Sequence, residues 1–151
     1  ASKNINLKVV LNNDIVGGIT CGKTSSPPSC PEDGHTDSVQ LRVFSSGINY
    51  SLHKGLARFV KMQYEHEVKN QAKVPVTIRL MDPVDREGRG GDHIPFSDLG
   101  YTAIRFTSAN EHGNGNPSIV GYADHQHTTK DILGADTDND GKIDSFFVNF
   151  E

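Results

Sequence analysis

Apolar residues in the first half of the chain fall into short runs with the spacing of strands and of one helix. Leu7 to Leu11 is an apolar, β-branched run that predicts a buried strand. Residues 39–44 alternate apolar and polar side chains, which favours a half-exposed strand. Between 51 and 66 a helical period places Leu52, Leu56, Phe59, Val60 and Gln63 on one face, after a suitable N-cap at Ser51.

The second half continues with further strands and one short helical turn. Residues 74–81 and 102–107 are strand candidates, and residues 95–100 form a short helical turn that ends at a glycine. Residues 145–150 also have the composition of a strand. Strands interspersed with helices predict an α/β fold with a sheet covered by helices. The stretch from Thr20 to Ser38 is rich in Gly, Pro and Ser and predicts a loop.

Length and charge narrow the class of protein. The chain has 151 residues, enough for one domain, and a formal net charge of -4 without a basic stripe. This charge pattern argues against a nucleic-acid partner. No apolar run approaches the ~20 residues that span a bilayer, so we expect no membrane segment. The sequence opens at Ala1 without a methionine or an apolar signal, which indicates processing or a larger parent protein.

Two cysteines, Cys21 and Cys30, flank a Pro/Ser segment that can fold back on itself. A disulfide between them would indicate an oxidising compartment, and we expect a secreted, periplasmic or extracellular protein. The alternative is a pair of unpaired loop thiols. Two cysteines without a CxxC motif make a poor zinc site.

Asp14 stands at the end of the first strand and precedes a Gly-rich turn. In open α/β sheets, ligand sites form at the carboxyl ends of strands, which makes this carboxylate a candidate metal ligand or base. The alternative is an Asx-turn or a helix N-cap.

Two other segments carry candidate chemistry. Asp92 and His93 follow two glycines that allow a tight turn; local capping and a surface histidine are the alternative. His125 and His127 are two residues apart, so on an extended segment their side chains point the same way. Histidine is a frequent zinc ligand, although an exposed His-rich loop would have the same composition.

Taken together, these segments resemble the M28 family of zinc aminopeptidases. The resemblance rests on LNNDIVGG, RVFSSG, the LARFV helix, RGGDHIPFSDLGYTAIRFTSANE and HQHTTKD, from about Asn6 to Asp131. Glutaminyl cyclases share that fold and a similar DHIPF segment. The resemblance implies the second half of an αβα sandwich with a mostly parallel sheet, over residues 1–151.

The resemblance also implies roles for individual residues. Asp14 and His127 correspond to ligands of the two zinc ions, with His125 as the fallback. Asp92 corresponds to a catalytic carboxylate beside the metals. His93, Arg89 and Glu111 are candidates for substrate binding. The family's H-x-D motif, bridging Asp and Glu-Glu pair have no counterpart here, so the resemblance implies that this chain is inactive alone and needs the missing N-terminal half.

An acidic segment near the end matches the first nine positions of an EF-hand or dockerin calcium loop. Its predicted ligands are Asp136, Asp138, Asp140, Lys142 through its carbonyl, and Asp144. The twelfth position is Phe147 rather than Glu, and the alternative is a solvated acidic turn.

Three functions therefore stay open on the sequence. The first is a fragment of a secreted zinc aminopeptidase that cleaves N-terminal residues from peptides. The second is a non-catalytic, calcium-stabilised extracellular interaction module, and the third is a glutaminyl cyclase-like transferase. Removing half of a sandwich would leave apolar surface uncovered, so homo-oligomers through the exposed sheet are also expected.

Overall fold

The computed structural model describes residues 6–14, 16, 35–85, 90–109, 134–135, 137–142 and 145–146. The chain divides into two compact units. The first contains Ala1–Val16 and Val39–Thr107, and the second contains Gly17–Ser38 and Ser108–Glu151. Within the part of the chain that is described, no helix has the length and apolar character to cross a membrane.

Four strands form the sheet: β1 (Val9–Asn13), β2 (Gln40–Ser45), β3 (Thr77–Met81) and β4 (Thr102–Ser108). Their order across the sheet is β1-β4-β2-β3. β1 pairs with β4 in parallel, and β2 pairs with β3 in parallel. The sheet as a whole is mixed, and the predicted α/β fold with a mostly parallel sheet is confirmed.

The apolar core lies on one face of this sheet. Side chains alternate between the two faces of a strand, so Ile104 and Phe106 of β4 share one face while Arg105 lies on the other. Ile104 is fully buried and packs with Val43 of β2 and Ile78 of β3. The helix that follows β2 covers this cluster.

That helix, α1 (Leu52–Gln63), packs through a face that shares only Leu56 and Val60 with the predicted stripe. Leu52 is 76% exposed and Phe59 is 53% exposed, so the predicted apolar stripe is wrong at these two positions. Ala57 is buried in the core instead, and Leu56 and Val60 pack against it.

Two lysines explain the rotation of the helix. The ammonium of Lys54 donates to the carbonyls of Met81 and Asp82, and the ammonium of Lys61 donates to Ile78 O at 2.8 Å. Seven helical residues span ~10.5 Å and three strand residues span ~10 Å, so the two contacts match in spacing. The aliphatic stems of the lysines cover the sheet while their charged ends reach polar atoms.

Local hydrogen bonds fix both ends of α1. The Ser51 hydroxyl accepts from Lys54 N at 3.2 Å, as expected of an N-cap. At the other end the helix continues as a π-helical turn, Tyr64–Val68, and a 3₁₀ turn, Lys69–Gln71. The Tyr64 hydroxyl accepts from Val76 N at 2.7 Å, which ties the end of the helix to the segment that enters β3.

The second helix, α2 (His93–Asp98), precedes β4 and lies against β1. Gly100 follows the C-cap Leu99, and its φ of +85° is readily adopted only by glycine. Tyr101 N donates to Phe96 O at 2.9 Å, and the two aromatic rings meet edge to face. The predicted helical turn with a terminal glycine is confirmed, two residues earlier than expected.

In the second unit, β5 (Gly134–Ala135) and β6 (Ser145–Phe146) form a short antiparallel pair. The described acidic residues lie between these two strands. The predicted strand over 145–150 is described for its first two residues, and its remaining residues lie outside the described part.

Candidate functional site

Asp14 directly follows β1 and continues its pairing with β4, because its backbone N–H donates to Phe106 O at 3.1 Å. The predicted position at the carboxyl end of a parallel strand is therefore observed. The Asp14 side chain is 34% exposed, which leaves it accessible to a ligand.

Arg105 lies on β4 opposite Asn12 of β1, and its side chain is fully buried. Its guanidinium bridges two carboxylates. Nη2 is 3.2 Å from Asp14 Oδ2, and Nη1 is 2.5 Å from Asp85 Oδ1. A buried guanidinium is costly unless it is paired, and the Asp85 side chain, 1% exposed, supplies that pairing from inside the protein.

His93 supports the segment that carries Asp85. The imidazole is fully buried, and Nε2 lies 2.8 Å from Val84 O. Because a carbonyl only accepts, Nε2 carries the proton in this contact. Nε2 is also 4.0 Å from Asp85 Oδ2, beyond hydrogen-bond distance. His93 therefore fixes the backbone next to Asp85.

Gly91 allows the close packing of these groups. A Cβ at this position would lie 3.0 Å from Arg105 Cδ and 3.1 Å from His93 Nδ1. Such contacts are tighter than most Cβ contacts, so a side chain at this position would require Arg105 or His93 to shift by a few tenths of an ångström. We call Asp14, Asp85, His93 and Arg105 the Arg105 network.

Asp92 and His93 are adjacent in sequence but differ in environment. Asp92 is exposed at the start of α2 and makes no capping hydrogen bond through its side chain. His93 has no exposed surface, which favours the supporting role described above over direct contact with a substrate. The catalytic role of Asp92 stays a prediction.

Several predicted site residues lie outside the described part of the chain. They are Cys21, Cys30, Arg89, Glu111, His125, His127, Asp136 and Asp144. The predicted meeting of Asp14 with His127 or His125 therefore stays a prediction, as do the disulfide and the substrate-binding roles.

The described residues of the acidic segment form an exposed turn. The Asp138 carboxylate accepts from Asp140 N at 3.2 Å, and the Asp140 carboxylate accepts from Lys142 N at 2.8 Å. The turn contains two residues with positive φ, Asn139 at 62° and Gly141 at 85°. The carbonyl ligand predicted at Lys142 and the calcium ligands predicted here stay predictions.

Sequence reasoning did not single out Asp85 or Arg105. One signal was present: the arginine in the apolar strand TAIRFT lies on the face opposite Ile104 and Phe106, and it would need an acidic partner if that face were also buried. The partner is 20 residues earlier, in a loop, and no periodicity connects the two positions.

Comparison with known proteins relates the chain to fungal proteins that are each named a probable zinc metalloprotease. A protein from Pyrenophora tritici-repentis is 32% identical over 125 residues, 71% of this chain and 25% of the relative. One from Pyricularia oryzae is 33% identical over 120 residues, 73% of this chain and 23% of the relative. One from Leptosphaeria maculans is 32% identical over 133 residues, 81% and 27% respectively.

The chain thus spans about a quarter of the length of the curated relatives it matches. No family model matches the chain. No solved structure matches it either. The chain is therefore similar to part of proteins that are named probable zinc metalloproteases.

The described residues fit that metal in part. No group of three or more His, Cys, Asp or Glu side chains that could hold a metal ion occurs within the described ranges. Asp14 is the one predicted zinc ligand among them, and a single carboxylate oxygen, Oδ2, contacts Arg105. The other carboxylate oxygen, Oδ1, does not take part in this contact, so Asp14 could coordinate a metal ion through that one atom.

Proposed function

We propose that this chain is the C-terminal portion of a secreted zinc aminopeptidase of the M28 type. The complete protein would bind two zinc ions and remove N-terminal residues from peptides. The chain contributes Asp14 and His127 as ligands, and the remaining ligands and the general base come from the part of the protein that this chain does not span. The chain alone is therefore inactive.

The observation that carries this proposal is the placement of Asp14. Its carboxylate lies at the carboxyl end of a parallel strand, is partly exposed, and is held through one oxygen by a buried guanidinium. Carboxylates that bind metals in proteins are commonly fixed by such a second contact. The names of the relatives support zinc as the metal.

Zinc bound in such a site supplies a hydroxide nucleophile near neutral pH and polarises the scissile carbonyl. The residues of this chain would serve that chemistry by position. Asp14 donates one oxygen from a fixed strand end, and Asp92 presents an exposed carboxylate at the start of α2. His93 holds the backbone beneath them through Val84 O.

The experiment uses the complete protein that contains this chain, purified with and without a chelator. An aminoacyl 4-nitroanilide is the substrate, and its N-acetylated form is the control. We expect the protein to hydrolyse the 4-nitroanilide with the free amino group and not its N-acetylated form. The activity should be lost on addition of the chelator and recovered on addition of zinc. Cyclisation of an N-terminal glutamine peptide without hydrolysis would instead support the glutaminyl cyclase-like alternative.

An Asp14→Asn variant tests the ligand directly. It keeps the shape of the side chain and removes its charge. We expect zinc binding to weaken and hydrolysis to fall at least about 100-fold, since carboxylate ligands bind metals in the deprotonated form. Unchanged zinc content and activity in Asp14→Asn would contradict the proposal.

We also propose that the acidic turn binds calcium and that Cys21 and Cys30 form a disulfide in an extracellular protein. The described turn supports the first part, because Asp138 and Asp140 are exposed and close in sequence, so a cation would relieve their repulsion. Calorimetric titration of the chain with Ca²⁺ tests it, with Asp138→Asn as the variant. Heat of binding that is equal in both proteins, or absent, contradicts it.

For the isolated chain we propose self-association through the exposed sheet surface. Val9 and Leu11 of β1 are 42% and 51% exposed, which supports an uncovered apolar strand. Light scattering after size-exclusion chromatography tests this, and a monomer at high concentration would contradict it.

The non-catalytic interaction module is the alternative function. It becomes the better assignment if the chain binds calcium while the complete protein shows neither zinc binding nor peptidase activity.

A further inference from the structure

Among the described residues, Arg105 makes two ion pairs, one with a buried carboxylate and one with a partly exposed carboxylate. Arg105 is fully buried and pairs with Asp85, which is also buried, so these two formal charges cancel. The second pair, to Asp14, joins the guanidinium to a carboxylate that is one third exposed and that water could solvate. This second contact restrains Asp14.

Both partners of this second contact are fixed by the same strand pairing. Asn12 lies opposite Arg105 in the β1–β4 register, and the next bond of the ladder joins Asp14 N to Phe106 O. The position of the Asp14 carboxylate relative to the sheet is thus set by one backbone hydrogen bond and one side-chain contact. A carboxylate held in this way loses little conformational freedom when it binds a ligand.

The Arg105 side chain is held in place by groups other than Asp14. The Asp85 carboxylate binds Nη1, and His93 fixes the backbone of Val84, the residue before Asp85. Gly91 packs against the Arg105 side chain near Cδ and Nε. The planar guanidinium therefore has one orientation, in which Nη2 points at Asp14 Oδ2.

Among the described residues, the exposed end of the network is a carboxylate. The guanidinium of Arg105 is shared between this carboxylate of Asp14 and the buried carboxylate of Asp85. Without Asp85, the guanidinium would neutralise Asp14 and weaken its attraction for a metal ion. Asp85 thus allows an arginine to orient a metal-binding carboxylate without cancelling its charge.

We propose that Arg105 is a positioning residue that holds Asp14 as a one-oxygen zinc ligand, and that Asp85 offsets its charge. This inference rests on the proposed function, because it requires Asp14 to bind the metal. It assigns to the RFT segment of β4 and to the loop before α2 a role in metal affinity.

The test measures zinc affinity of the complete protein by competition with a chromogenic chelator. The double variant Arg105→Met with Asp85→Asn removes the buried charges together, so neither is left unpaired. We expect its zinc affinity to fall about 10–100-fold, the usual loss when the partner of a metal ligand is removed. Arg79→Met is the matched control, since Arg79 is an exposed strand arginine that contacts Gln40, and it should leave the affinity unchanged.

The same double substitution in a protein that carries Asp14→Ala distinguishes a positioning role from a merely structural one. In a protein that already carries Asp14→Ala, the double substitution should cause no further loss, because its effect acts through Asp14. A structural role would lower zinc affinity equally in both backgrounds and would overturn the inference. Arg105→Lys gives an independent measurement, since it keeps the charge but loses the planar fork. We expect its cobalt-substituted form to show an altered d–d absorption spectrum, and an unchanged spectrum would count against the inference.

The two proposals fail in different ways. If Asp14→Ala leaves zinc affinity unchanged, Asp14 is not a ligand, and both the proposed function and this inference are overturned. If Asp14→Ala weakens zinc binding while the folded double variant binds zinc like the parent, the inference on Arg105 alone is overturned. Circular dichroism of each variant establishes that the protein is folded.

Discussion

Arg105 Nη2 lies 3.2 Å from Asp14 Oδ2, so a fully buried arginine in a central strand contacts a partly exposed carboxylate at the end of its neighbour. The same guanidinium binds the buried Asp85 through Nη1. The interior of the sheet unit is thus connected, through one side chain, to the surface where a metal ion is proposed to bind. A change in the buried pair should be felt both in stability and at Asp14.

Replacing Arg105 alone should be strongly destabilising. Arg105→Met leaves Asp85 charged and buried, and removing one partner of a buried pair costs about 3–5 kcal/mol. Urea-induced unfolding followed by circular dichroism would measure this. The double variant with Asp85→Asn should recover part of the loss, and Arg79→Met should change stability by less than about 0.5 kcal/mol. Equal stability of Arg105→Met and the parent would show that the pair does not form.

Gly91→Ala should also destabilise the sheet unit. The added Cβ would lie 3.0 Å from Arg105 Cδ and 3.1 Å from His93 Nδ1, and overpacking of a tight site costs about 1–3 kcal/mol. Gly55→Ala is the matched control, because a Cβ there has no atom within 4 Å. Gly55 lies inside α1, where alanine should stabilise by about 0.5–1 kcal/mol. The two substitutions should therefore shift the thermal midpoint in opposite directions.

The start of α1 depends on its cap. The Ser51 hydroxyl accepts from Lys54 N and donates to Ser46 O at 2.9 Å. Ser51→Ala removes both bonds and should lower the free energy of unfolding by about 1 kcal/mol. Ser51→Asp keeps an acceptor for Lys54 N and should recover most of the loss. If the alanine and aspartate variants are equally unstable, the capping interaction is not the cause.

Glu65 gives a prediction on pH. The hydrogen bond from Lys61, 2.6 Å long, lowers the pKa of the Glu65 carboxyl below its ordinary value of 4.5. Because the pKa is lowered in the folded state, the stabilisation is present above the unfolded pKa and is lost as the pH falls through the folded pKa. Carbon-detected NMR titration would measure the shift. Lys61→Gln should return the pKa toward its ordinary value, and an unchanged titration curve would contradict this assignment.

Most of the sheet was predictable because strand signals are local. The runs at Leu7–Leu11, 39–44, 74–81 and 102–107 each overlap a strand of the structure, and their bounds differ from the observed ones by at most three residues at either end. The face of α1 was not predictable from apolar residues alone. Lys54 and Lys61 point toward the sheet and donate to carbonyls of β3. Two charged residues therefore lie on the packed face of the helix, where a search for apolar residues does not find them.

The position of Asp14 could be predicted because it depends only on where a strand ends. The pairing of Asp85 with Arg105 could not, because it joins residues that are distant in sequence. Asp14 follows an apolar strand, and this alone places it at the carboxyl edge. Asp85 and Arg105 are brought together by the path of the loop before α2, which carries no periodic signal. The family resemblance made His93 a candidate for substrate binding, and this role stays a prediction. Its imidazole is fully buried, whereas the neighbouring Asp92 is exposed, and the sequence gives no signal for this difference.

The amine of Lys54 is enclosed between α1 and the end of β3, with a side chain that is 9% exposed. Acylating reagents need an accessible, deprotonated amine, so they should modify Lys54 far more slowly than the exposed Lys8 or Lys73. The rate at which Lys54 reacts then reports how often α1 lifts from the sheet, since local opening must precede the reaction. Mass spectrometry of samples taken at successive times of acetylation would therefore measure how often α1 separates locally from the sheet.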